Sequence, residues 1–110
     1  MDQRGRERLR RTKEILLQGW TQHPSGFEMN GTRTVKRCLL VAHAHAFNGH
    51  HLYDGTALAL CQAAFRRGIP GIVAFNDHPS TKLADVFALI DEVLLELADT
   101  PHAGNADETP

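Results

Sequence analysis

The sequence predicts a mostly α fold, a compact domain of four helices carrying one β-hairpin. Three observations predict it. Apolar residues recur at helical spacing around residues 7–20, 56–67 and 81–98. Residues 26–35 place strand-forming side chains on both sides of an Asn-Gly pair. The chain has 110 residues, 42% of them hydrophobic, enough to bury about two-thirds of its surface around one core without staples. An α/β alternative stays open: strand 37–42, crossover helix 56–67 and strand 71–75 would form a right-handed unit with a short parallel sheet.

In chain order, residues 1–7 are polar and expected to be a flexible N-terminus. Residues 8–99 form the single globular domain. Residues 100–110, with Pro101, Gly104 and Pro110, read as a disordered tail. The first helix runs from about Glu7 to Trp20. Leu9, Thr12, Leu16 and Trp20 make its stripe, Ile15 lies beside them, and Arg8, Arg11 and Lys13 fall largely off it. Gly19 marks its end. In the hairpin, Asn30-Gly31 supplies the positive φ angles of a type I′ turn, and Phe27, Met29, Thr32, Thr34 and Val35 suit the strands. A two-stranded ribbon is marginal alone, so it must lie on helices.

Residues 36–48 read in two ways. As a helix, Val35, Cys38, Leu39, Ala42 and Ala46 form one stripe and Asn48-Gly49 ends it. As a strand, Cys38 to Ala42 would be buried on both faces. The alanines favour the helix. Asp54 is placed to cap a helix from about Thr56 to Arg67, with Ala57, Leu58, Cys61, Ala64 and Phe65 as its apolar face. Gly68 ends it and Pro70 prevents continuation. Residues 71–76 are a buried strand or a short turn of helix, broken by Asp77-His78-Pro79-Ser80. The last helix runs from about Thr81 to Ala98, capped by Ser80, with Leu83, Val86, Phe87, Ile90, Val93, Leu94 and Leu97 in its stripe. That stripe would serve equally as the seam of a homodimer. The expected core is Leu9, Leu16, Trp20, Leu39, Leu58, Phe65, Val86, Phe87, Ile90 and Leu94.

The net charge of −1 hides a polarised chain: residues 1–20 carry +3, residues 21–70 another +3, and residues 71–110 carry −7. The ends can neutralise one another inside the fold or face different partners. Cys38 and Cys61 sit among apolar neighbours and read as reduced core thiols. No run of eighteen apolar residues exists, and no apolar stretch follows the Arg-rich start. We therefore expect a cytoplasmic protein with no membrane partner.

Two constellations could carry chemistry. Four histidines crowd residues 43–51, with Asp54 beyond. On a strand, His43 and His45 would point the same way and could chelate one ion; on the favoured helix they lie about 200° apart. His43, His50, His51 and Asp54 are thus weak metal candidates, and no metal or other cofactor is expected. The second constellation, Asn76, Asp77 and His78, could line a pocket and bind a hydroxyl or a water; its simpler reading is as backbone caps. No GxSxG, HExxH, GxGxxG or phosphate-binding loop is present. The basic residues Arg4, Arg8 and Arg11 on the first helix and Arg33, Lys36 and Arg37 on the hairpin are the candidate partner-binding set.

The order of motifs resembles a small uncharacterised domain family of actinobacteria and their phages. The resemblance covers about residues 9–98. It rests on a helix ending in Gly19-Trp20, a turn with Gly31, the Cys38–Ala46 and Ala57–Ala64 segments, the unit Phe75-Asn76-Asp77-His78-Pro79, and a closing helix with Val86 and Leu89. That family usually has Trp where Phe75 stands, and often Cys where Thr21 stands, so no role of that Cys carries over. The resemblance implies a compact helical fold and no particular activity.

Together these readings favour a small non-enzymatic protein-interaction domain, such as a phage accessory that binds a host protein. Nucleic-acid binding by the Arg-rich helix and hairpin is the first alternative. A small enzyme or metal site built from the histidines and Asn76-Asp77-His78 is the second.

Overall fold

The computed structural model describes residues 3–23, 26–46 and 55–99. These form α1 (Gln3–Gln18), β1 (Phe27–Asn30), β2 (Arg33–Arg37), α2 (Leu39–His45), α3 (Thr56–Arg66), α4 (Ile72–Asp77) and α5 (Leu83–Asp99). Among the described residues the fold is mostly helical with one antiparallel hairpin, as expected, but with five helices. Residues 72–77 are the fifth, and 39–45 are helical too, so the α/β alternative fails. The only sheet among the described residues is β1–β2. α1 packs on α2, α5 and β2; α3 packs on α5 and α4; α2 also meets α4.

α1 begins four residues earlier than expected because its first turns have a packing partner. Arg8 lies inside the fold, fully buried, beside the expected Leu9, Thr12 and Leu16. Its Nε donates to the carbonyl of His43 (3.0 Å), and Arg11 Nη1 donates to the carbonyl of Ala46 (3.3 Å). The last carbonyls of a helix have no partner within it, and its C-terminus favours cations. Two guanidinium groups of α1 thus cap α2 from outside.

The hairpin pairs Asn30 with Arg33, so the two-residue loop is Gly31-Thr32, one residue later than the Asn-Gly reading. Gly31 takes φ 66°, a conformation that costs glycine little. The register shifts between Glu28 and Met29, which leaves Val35 as the extra residue of a bulge. Where α1 ends, a Cβ on Gly19 would collide with the carbonyl oxygen of Val35. Glycine there lets the chain press against β2. Beyond the hairpin, Cys38 is the N-cap of α2, its sulfur accepting from the Val41 N–H (3.4 Å).

α3 buries a different face from the one expected. Of the expected face Ala64 is buried and Cys61 half-buried; Thr56, Leu60 and Ala63 turn inward with them, whereas Leu58 and Phe65 are 63% and 62% exposed. Both stripes have helical spacing. The buried one carries alanines, which let neighbouring helices approach closely, and periodicity alone does not choose between them. α5 follows its stripe: Val86, Leu89, Ile90, Val93 and Leu97 are buried, with Leu83, Phe87 and Leu94 packed beside them. The stripe is used inside the domain. Ser80 does not cap α5. Asp85 reaches back to the Lys82 N–H (2.8 Å), in the manner of a capping box.

The charge asymmetry is partly resolved within the fold. Lys13 meets Asp91 (2.6 Å) and lies over the ring of Phe87. Arg66 reaches Glu92 and Glu96, both at 2.5 Å, and Arg67 reaches Glu92 at 2.7 Å. The hydrogen bond from Arg66 holds the Glu92 carboxyl below the usual glutamate range, with Arg67 adding to it.

Candidate functional site

Asn76, at the C-terminal end of α4, is 1% exposed. Its Oδ1 accepts from the indole N–H of Trp20 (2.7 Å) and the backbone N–H of Leu39 (2.9 Å). Its Nδ2 donates to the carbonyl of Thr21 (3.1 Å) and to Asp77 Oδ1 (2.9 Å). A primary amide offers two donors and two acceptor positions, and all four are in use. Asn76 therefore has no capacity left for a substrate. It is a clamp, and its partners define what it clamps. Trp20 and Thr21 lead into the hairpin and Leu39 leads out of it. One side chain thus fixes both roots of the 20–39 excursion to α4.

Gln22 reinforces the same joint. Its Nε2 donates to the carbonyls of Asn76 (3.0 Å) and His78 (2.9 Å) at the end of α4. The backbone adds two bonds, Arg37 N–H to Gly19 O (2.9 Å) and Thr21 N–H to Arg37 O (3.2 Å). Thr21 also gives its hydroxyl proton to Glu28 of β1. The roles of Gln22 and Thr21 leave no mark in the sequence, because a single polar residue in a loop has no periodicity to betray it.

The expected pocket of Asn76, Asp77 and His78 does not form as a unit. Asp77 is exposed and oriented by Asn76. His78 is exposed, with Nδ1 beside the Ser80 hydroxyl (2.7 Å). A pocket of about 160 Å³ does border Asn76 and Asp77, but its other walls include His23, Cys38, Val41 and Val73. It brings a thiol, an imidazole and a carboxylate to one hollow, below the ~300–1,000 Å³ of small-molecule sites. The Cys38 sulfur already caps α2. Cys38 and Cys61 are both free thiols.

The histidine cluster divides. His43 is buried on α2, with Nε2 2.7 Å from Thr56 Oγ1, so it ties α2 to the start of α3. His45 is exposed on the same helix, and the two do not chelate together. His50, His51 and Asp54, the last also the expected cap of α3, lie outside the described residues. Among the described residues no three His, Cys, Asp or Glu side chains gather as a metal site. No helix among them is long and apolar enough to cross a membrane.

The basic residues separate as well. Arg8 is interior and cannot meet a partner. Arg11 pairs with Glu7 (3.2 Å) and with α2. Arg4 is exposed at the start of α1, the far end from the hairpin. Arg33 and Lys36 are exposed and Arg37 half-buried, and no ion pair among the described residues engages any of the three. Beside them on β1, Phe27 and Met29 are 40% and 48% exposed. The hairpin is where uncompensated charge and outward apolar surface coincide.

A family model described as a family of unknown function (DUF6197) matches residues 1–94. Comparison with curated proteins and with solved structures gives no significant match.

Proposed function

The chain belongs to the DUF6197 family, whose function is unknown, and we propose that this member is a small non-enzymatic interaction domain that presents its hairpin to another protein. One observation carries the reading. Phe27 and Met29 stand outward next to three cations without carboxylate partners, on a hairpin clamped at both roots by a saturated amide. Solvent-facing aromatic and methionine side chains beside arginine are the usual makings of a protein contact. The clamp fixes the hairpin before binding, so less order must be imposed when a partner arrives. Work in the cytoplasm fits the two free thiols, and a setting in actinobacteria or their phages is what the family resemblance implies. A nucleic-acid reading has one supporting observation, the backbone register that sets Phe27 opposite Arg37 across the hairpin.

The test is recovery of a partner from a bacterial lysate, with Phe27→Ser/Met29→Ser and Leu58→Ser/Phe65→Ser as parallel baits. Wild type should recover a stoichiometric protein that the hairpin variant loses and the α3 variant keeps, with both variants melting as wild type. Equal recovery by wild type and the hairpin variant, or no stoichiometric partner with any bait, would discard the reading.

A further inference from the structure

We infer that the groove between the end of α3 and the first turns of α5 binds a small zwitterion, a molecule of amino-acid or dipeptide type that carries one carboxylate and one ammonium group. The hairpin takes no part in it, so the site stands apart from the protein contact proposed above. A cavity of about 330 Å³ opens there, against about 160 Å³ beside Asn76. The larger volume falls within the ~300–1,000 Å³ of small-molecule sites.

The two hollows also differ in unspent hydrogen-bonding capacity. Asn76 has used all of its own. Thr81, which lines the larger cavity, is 7% exposed, and its hydroxyl enters no hydrogen bond among the described residues. That hydroxyl offers one donor and two acceptor positions, and a buried hydroxyl without a partner costs free energy that a bound polar group recovers. Two charged side chains on the same cavity are only half used. Arg67 gives Nη1 to Glu92 (2.7 Å) and to the carbonyl of Ala63 (3.1 Å), leaving Nε and Nη2 without a partner among the described residues. Asp85 spends Oδ2 on the Lys82 N–H (2.8 Å) and keeps Oδ1. Ile69, the nearly buried Phe75 ring and Ala88 supply the apolar wall.

The placement of the charges decides the ligand class. Asp85 sits in the first turn of α5. Ala88 follows one turn later, and Arg67 meets the turn beyond through Glu92. From Asp85 to Glu92 the helix rises about 10 Å. The cavity thus has a carboxylate toward one end, a small side chain in the middle and a guanidinium toward the other. A lone anion would meet Asp85, which already occupies the positive end of α5. A lone cation would meet Arg67. A zwitterion satisfies both, its carboxylate toward Arg67 Nε and Nη2, its ammonium toward Asp85 Oδ1, with Thr81 between them and the remaining carbon atoms over Phe75 and Ala88.

An amide chemical-shift titration of the full chain tests the site, with the standard amino acids and their glycyl dipeptides as probes and acetate, phosphate and methylammonium as single-charge controls. At least one zwitterion should shift the amides of residues 81–88 saturably at millimolar concentration, and the controls should bind more weakly or not at all. Whether that probe is an amino acid or a dipeptide fixes the ligand's length. Thr81→Val keeps the side chain's shape and removes its hydroxyl, and should weaken binding about tenfold. Ala88→Met, at an exposed helix position, should fill the cavity and abolish binding while the variant melts as wild type. Phe27→Ser/Met29→Ser should bind as wild type. No saturable shift with any zwitterion, equal binding of acetate, phosphate or methylammonium, or undiminished binding by both Thr81→Val and Ala88→Met would each overturn the site and leave the hairpin reading to its own bait experiment.

Discussion

In the helical layer, several cations find partners inside the molecule: Lys13 meets Asp91, Arg66 and Arg67 meet Glu92, and Arg8 and Arg11 cap α2, although Arg6 and Arg10 meet no carboxylate among the described residues. In the hairpin, Arg33, Lys36 and Arg37 meet no carboxylate among the described residues. Apolar side chains do not divide so cleanly. Leu9, Leu60, Leu89 and Ile90 are fully buried, but Leu17, Leu58, Phe65 and Leu95 on the helices face water along with Phe27 and Met29 on the hairpin. A domain of this size buries its large side chains where elements stack, and a two-stranded ribbon has too little area to hide both faces. The helices therefore carry most of the stability, and the protein recognition proposed above falls to the hairpin. Asn76 joins the two regions.

The sharpest way to break this division is Asn76→Ala. It strands the Trp20 indole N–H, the Leu39 N–H and the Thr21 carbonyl at a buried joint. We expect a loss of about 3–5 kcal/mol in urea unfolding, together with loss of hairpin amide protection in hydrogen exchange. A loss below about 1 kcal/mol would show that the joint is held some other way.

Next in size is a paired test within α3. Leu60→Ala should cost about 2–5 kcal/mol, as buried truncations do, whereas Phe65→Ala should stay within about 0.5 kcal/mol. Equal costs would mean that the outward face of α3 is covered. The smallest expected effect concerns pH. The folded Glu92 carboxyl titrates below its ordinary value because Arg66 bonds the ionised form. Its contribution is therefore present above the unfolded value near 4.5 and is lost as pH falls through the lower folded value. Both Arg66 and Glu92 are partly exposed, so the effect is small. Wild type should lose slightly more stability than Glu92→Gln on acidification, and parallel pH profiles would remove the claim.

Much of the architecture was legible from patterns along the chain. The α5 stripe, the hairpin and the ends of α1 and α3 follow from local chemistry: helical repeats, a glycine turn, Gly19 and Gly68. Three features were not legible. The face buried by α3 was misread because two apolar stripes share one helix. Arg8 was placed on the surface because an arginine gives no sign that a distant helix end needs its guanidinium. Asn76 was singled out for a pocket, yet its partners Trp20 and Leu39 lie 56 and 37 residues away.

The sequence by itself determined that the first, third and last helices form, where the hairpin falls and that its second strand is basic, because turns, caps and periodicity act between residues a few positions apart. Only the tertiary structure decided which apolar face is buried, which arginines are interior and that one amide clamps both roots of the hairpin. Those outcomes depend on whether a buried polar group finds its complement across the fold, a matter of three-dimensional proximity that no local pattern encodes.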